Sequence, residues 1–129
     1  MTLNVKLVVP EGEVWSGSAD RIVAKTLDGE IGILTGHTPV LGILAAGSVV
    51  RILPQDPGAD GWVQAAVGSG FLSVAADRVS ILAREAVLGS DVDKAAVRAE
   101  LEEAQSSPGD EPGTAGYLRA QLRAAGDEV

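Results

Sequence analysis

Cysteine is absent from the 129 residues, which excludes disulfides and cysteine-ligated metals. Aromatics make up only 3% of the chain: two Trp, one Tyr and one Phe. Hydrophobic residues still reach 46%, so a core is available, but it must be built from Val, Leu, Ile and Ala. Histidine occurs once, at His37. A metal centre needs several ligands and a general-base His needs an orienting partner. No carboxylate stands near His37 in a ligand spacing, so neither a catalytic residue nor a metal site is expected. The Gly36-His37-Thr38-Pro39 setting reads as a turn. No run of eighteen apolar residues is present, so no membrane insertion is expected. No basic segment leads into an apolar one, so no secretory signal is expected. Basic residues are scarce: ten against eighteen acidic ones, for a net charge of −8. That balance disfavours nucleic acid and anionic lipid as partners.

Charge is uneven along the chain. Residues 1–88 carry six basic and nine acidic side chains, whereas 89–129 carry four and nine in less than half the length. The patterning changes at the same place. In "LNVKLVV", Leu3, Val5, Leu7 and Val9 alternate with Asn4 and Lys6, the period of a half-buried strand. In "RIVAKT", Ile22, Ala24 and Thr26 share one face. Asp28-Gly29 is a hairpin-turn signal. Further short runs cover 29–34, 40–45, 48–53, 62–67, 71–74 and 79–83, separated by turn clusters at 54–61 and 75–77. Roughly eight to ten strands at such spacing predict a sandwich or barrel. From Ser90 to Gln105 the chain turns rich in Ala and Glu, which predicts a helix with Ser90 and Asp93 as a capping box. Val97, Leu101 and Ala104 form its stripe. "SSPGDEPGTAG" breaks it, and a short second helix is predicted over 117–125, with Leu118, Leu122 and Ala125 on one face. The division is thus 1–88 for the β-part and 89–129 for a helical hairpin.

The most unusual stretch is "DGEIGILTGHTPVLGIL", residues 28–44, with four glycines in seventeen residues. No Gly-Lys-Ser/Thr closes it and no GxGxxG is present, so it is not a phosphate loop. "VGSGFLSV" lacks a nucleophile elbow. The sequence therefore defends no active site and no cofactor. The residues alone also admit a free-standing β-sandwich that binds a small ligand or peptide under a helical lid. A deep polar pocket inside the sandwich would mark that alternative. A cupin-like metalloenzyme is disfavoured by the single His.

In order, "VWSG" (14–17), "GEIGILTGHTPVL" (29–41), "VGSGFLSV" (67–74) and "VSILA" (79–83), then an Ala/Glu-rich hairpin, resemble the epsilon subunit of bacterial F-type ATP synthase. The likeness covers nearly the whole chain. Thr35 stands where that family usually has Pro. The resemblance implies an α+β fold: an N-terminal ten-stranded β-sandwich followed by a C-terminal antiparallel two-helix hairpin. It implies a non-catalytic rotor subunit that joins the gamma subunit to the c-ring, peripheral on the cytoplasmic face of the cell membrane. Its helices would either fold on the sandwich or extend toward the catalytic alpha/beta head and brake ATP hydrolysis. It implies a c-ring contact at Asp28, Gly29 and Glu30, and a gamma contact at His37, Thr38, Pro39 and Gly42. Some members bind ATP through Asp-x-x-Arg-Ala at the first helix. Here Asp93 is present but Ala96 replaces the Arg, so nucleotide binding is not expected.

Overall fold

The computed structural model describes residues 2–36, 38–55, 61–106 and 112–126. Alternation becomes strand wherever the sequence shows it. β1 (Leu3–Val9) buries Leu3, Val5 and Leu7 and exposes Asn4 and Lys6. β2 (Gly12–Thr26), β3 (Gly29–Leu34), β4 (Val40–Leu44), β5 (Ser48–Pro54), β6 (Val63–Val67), β7 (Gly70–Ala75), β8 (Arg78–Ala83) and β9 (Ala86–Leu88) follow. Nine strands are present among the described residues, one fewer than the resemblance implied. β2 runs unbroken for 15 residues, where the alternation predicted only its second half. Residues 12–19 pair with β1; residues 21–26 pair with β3, and β5 lies on the other flank of that second half. The register slips between Ala19 and Arg21, the kind of irregularity that bends a strand from one layer into the next.

Two layers result. One holds the first half of β2, then β1, β8, β7 and β4, with β1 and β8 parallel. The other holds β3, the second half of β2, β5, β6 and β9. Thr26 pairs with Leu44 and joins the layers at their far side. Between them, Leu3, Leu7, Ile22, Ile33, Leu44, Ile52, Leu72 and Ile81 are fully buried. The aliphatic core inferred from composition is the observed one. Trp15 packs at its edge, with its ring over Gly17, where a Cβ would stand 3.1 Å from the indole.

The β7–β8 turn is made by Ala76 and Asp77 at φ 51° and 61°. Both central residues are left-handed, as a tight hairpin prefers, but alanine is a poor occupant. Ala76→Gly is expected to raise stability by ~0.5–1 kcal/mol; urea unfolding with an unchanged m-value would measure it.

After a 3-10 turn at Gly89–Asp91 come α1 (Lys94–Ser106) and α2 (Pro112–Ala124). The predicted Ser90 capping box is not formed. Asp93 is the cap, its Oδ1 accepting the Ala96 N–H at 3.2 Å. The second helix starts five residues earlier than predicted, at Pro112. Proline is tolerated in a first turn because its missing N–H has no intrahelical partner there.

Candidate functional site

Three surfaces carry features that the core does not need. The first is the β2–β3 hairpin tip. Its two-residue loop is Leu27–Asp28, between the paired Thr26 and Gly29. The turn lies one residue earlier than the Asp-Gly signal suggested, with Gly29 at φ +121°. The Thr26 hydroxyl donates to the Gly29 carbonyl at 2.8 Å and accepts the Asp28 N–H at 3.2 Å. Leu27 is exposed at the tip. Glu30 sits opposite Lys25 across the hairpin, and its side chain is 66% exposed, 3.8 Å from Arg51. Exposed pairs of this kind contribute ~0–1 kcal/mol, so the fold hardly needs Glu30. Lys25, Arg51, Gln64 and Arg123 line a hollow of about 400 Å³ beside it.

The second surface is an apolar stripe on the outside of the β4–β7–β8–β1 layer. Ile43 pairs with Phe71, Phe71 with Leu82 and Leu82 with Val8. One row of outward side chains therefore crosses four strands. Ile43, Phe71 and Leu82 are each about half exposed and Leu41, one row over, is 75% exposed. Val9 and Pro10 extend the stripe around a hollow of about 680 Å³. Contiguous exposed apolar patches of this kind are found where a protein, a membrane or a ligand is contacted. The resemblance implied a gamma contact at His37, Thr38, Pro39 and Gly42, on β4 and the residues leading into it. Thr38 and Pro39 are exposed, and Gly42 lies half-buried on β4 between Leu41 and Ile43. His37 lies outside the described residues. Sequence alone does not separate this stripe from the core, since both consist of apolar residues on strands.

The third surface is the docked hairpin. Val97 and Leu101 of α1 meet Leu118 and Leu122 of α2. On its other side α2 lays Ala120, Ala124 and Tyr117 against Ala66, Val49 and Val87 of the sandwich. Small residues let the helix approach closely: a Cβ on Gly89 would collide with the Ala124 carbonyl oxygen and stand 2.6 Å from its carbon. Arg123 Nη2 donates to the Gly47 carbonyl at 3.0 Å. Burial, with the Glu85 charge adding to it, pushes the Tyr117 phenol up to about 12. The predicted stripe member Ala125 lies beyond the helix, in the turn that follows.

No cluster of His, Cys, Asp or Glu suited to a metal is found among the described residues. Asp93 and Ala96 face each other through the helix cap, which occupies one Asp93 oxygen. The space between the layers is filled by aliphatic side chains, so the interior pocket that would mark a small-ligand module is not what the sandwich encloses.

Comparison with known proteins accounts for this arrangement. Residues 2–89 match the family described as "ATP synthase, Delta/Epsilon chain, beta-sandwich domain". The chain is 50% identical to the ATP synthase epsilon chain of Thermobifida fusca, over 95% of this chain and 91% of that one. It is 46% identical to that of Rhodococcus erythropolis, over 95% and 98%. A chain in the cryo-EM structure of the Euglena gracilis mitochondrial ATP synthase (OSCP/F1/c-ring) shares the fold at TM-score 0.69 and 22% identity, covering 94% of this chain and 75% of that chain. One from the Tetrahymena thermophila ATP synthase central stalk and c-ring does so at TM-score 0.59 and 19% identity, covering 97% and 91%. With a matched sandwich family over residues 2–89 and close relatives spanning nearly the whole chain, the protein belongs to the delta/epsilon family of ATP synthase chains, as an epsilon chain.

Proposed function

We propose that this epsilon chain is a coupling piece of the rotor. It holds the gamma subunit on its apolar stripe and the c-ring on its β2–β3 tip, at the cytoplasmic face of the membrane. It contributes no reacting group. No helix among the described residues is long and apolar enough to cross a membrane, which fits a peripheral part of the complex. The observation that carries the reading is the division of labour on one rigid sandwich. A broad apolar row offers the lasting grip that an obligate partner takes. A narrow polar tip with Asp28 and Glu30 offers a charged contact that can be made with the loops of a ring.

The gamma contact centres on Leu41, Ile43, Phe71 and Leu82, with Thr38 and Pro39 at its rim. Gly42 serves by its lack of a side chain, as argued below. His37 stays in the proposal from the sequence alone. The helices give the chain a second role, braking ATP hydrolysis when they leave the sandwich. ATP sensing is not part of the proposal, since Ala96 offers no donor to a phosphate.

Glu30→Ala tests the tip. Stability is expected to change by no more than ~0.5 kcal/mol, as at ordinary surface sites, while association with the purified c-ring weakens. Undiminished capture by the ring, with an unchanged melting curve, would remove the tip from the interface.

A further inference from the structure

Thr26 stands where the sandwich pattern calls for a hydrocarbon. Ile22 and Ala24 precede it on the inward face of β2, and both are buried. Thr26 is half-buried at the end of that row. Its hydroxyl spans the Leu27–Asp28 loop with the two hydrogen bonds already given. Neither Leu27 nor Asp28 has a positive φ; the positive φ falls on Gly29, just after the loop. The Thr26 side chain braces this glycine-assisted turn, as Ser and Thr do when they bond a backbone group two residues on.

The other end of the same side chain points at β4. A Cβ added to Gly42 would lie 3.3 Å from Thr26 Cγ2, so Gly42 leaves just enough room for that methyl. The backbone is tied on both sides of Thr26. Leu27 N–H donates to the Ile43 carbonyl and Ala45 N–H to the Lys25 carbonyl, each at 2.9 Å. Thr26 itself pairs with Leu44. Leu41 and Ile43, on either side of Gly42, belong to the apolar stripe.

We infer that Thr26 is a positioning residue that joins the two partner surfaces into one unyielding piece. Its hydroxyl fixes the c-ring tip and its methyl seats that tip on β4, beneath the gamma stripe. A load taken at Asp28–Glu30 then reaches Leu41 and Ile43 without the turn folding away. The inference rests on the proposed assignment of those two surfaces.

Thr26→Val keeps the branched shape and deletes the hydroxyl; Thr26→Ser keeps the hydroxyl and deletes the methyl. Binding of each full-length chain to the purified c-ring is measured beside Glu30→Ala, together with amide hydrogen exchange at Asp28. Thr26→Val is expected to lower c-ring affinity about tenfold, the effect of losing ~1.4 kcal/mol, and to speed Asp28 exchange by a similar factor. Thr26→Ser keeps both bonds and loses only the methyl's seat on β4. It should lose no more than about threefold in affinity and keep Asp28 exchange within about twofold of the parent.

Equal losses in the Val and Ser variants would overturn the hydroxyl brace. So would a Val variant that binds normally while Glu30→Ala does not, and this leaves the surface assignment standing. Normal binding by all three variants removes the surface assignment itself. The parent chain provides a reading that needs no variant to fold: an unprotected Asp28 amide overturns the brace.

Discussion

Gly89→Ala will free α2 from the sandwich and leave the sandwich folded. The collision is with helix backbone, at the Ala124 carbonyl, and backbone at a helix end cannot rotate aside as a long side chain can. Overpacking of this kind costs ~1–3 kcal/mol, comparable to what holds so small an interface of Ala66, Ala120, Ala124 and Tyr117. Helices of 13 residues are marginal once released. Amide exchange in α2 should therefore quicken ~30-fold for ~2 kcal/mol of lost docking, with β-strand protection unchanged. The truncated chain 1–88 should unfold cooperatively by circular dichroism for the same reason. Loss of strand protection in either would show that the two parts are one folding unit.

Alkaline pH reaches the same interface by another route. The docked Tyr117 phenol is pushed up to about 12, first by burial and then by the Glu85 charge, against ~10 when exposed. A raised value means that the docked state holds the proton more tightly. Its contribution to docking is complete below about pH 10 and is lost as pH climbs through about 12. Tyr117→Phe should flatten that part of the profile.

Ile22→Ala is expected to cost ~2–5 kcal/mol, the largest loss from any single truncation considered. Ile22 is fully buried and lies in register with Ile33 on one flank and Ile52 on the other. The cavity would open where three strands meet, and a sheet held by hydrogen bonds on both sides of β2 cannot collapse to fill it. Domains of this size are stable by ~5–15 kcal/mol, so a melting point lower by well over 5 °C is anticipated. A shift under 2 °C would mean that the sandwich repacks there more freely than its register suggests.

The legible parts of this fold were those with a clear period. Leu3, Val5 and Leu7 alternate and are buried; the aliphatic core and the helical hairpin follow from composition and stripe. The first half of β2 was not legible because both of its faces are largely exposed from Gly12 to Ser18, so no hydrophobic alternation marks it. The start of α2 was hidden by Pro112, Gly113 and Gly116, breakers that tolerate a helix already anchored further on by Leu118 and Leu122. The Gly-rich motif points to the tip, but the Asp-Gly signal sets its turn one residue late, because Gly29 follows the loop and Thr26 braces it from the other side. The apolar stripe could not be separated from core by sequence. Ile43 and Leu44 look alike on paper, yet one is half exposed on the outer face and the other is buried in the core.

The parallel pairing of β1 with β8 has a consequence for how the chain is born. Val5 lies beside Val79 and Leu7 beside Ile81, and no tight turn can bring such partners together. A ribosome adding roughly 5–20 residues per second releases β8 several seconds after β1. Until then β1 has only its hairpin with β2, and its other edge is an open template for foreign strands. Pairings this distant in sequence also close slowly, on the order of milliseconds to seconds. The nascent chain thus carries an unpaired edge on its first strand for that interval, and a message cut short before β8 yields a product that cannot complete its own sheet.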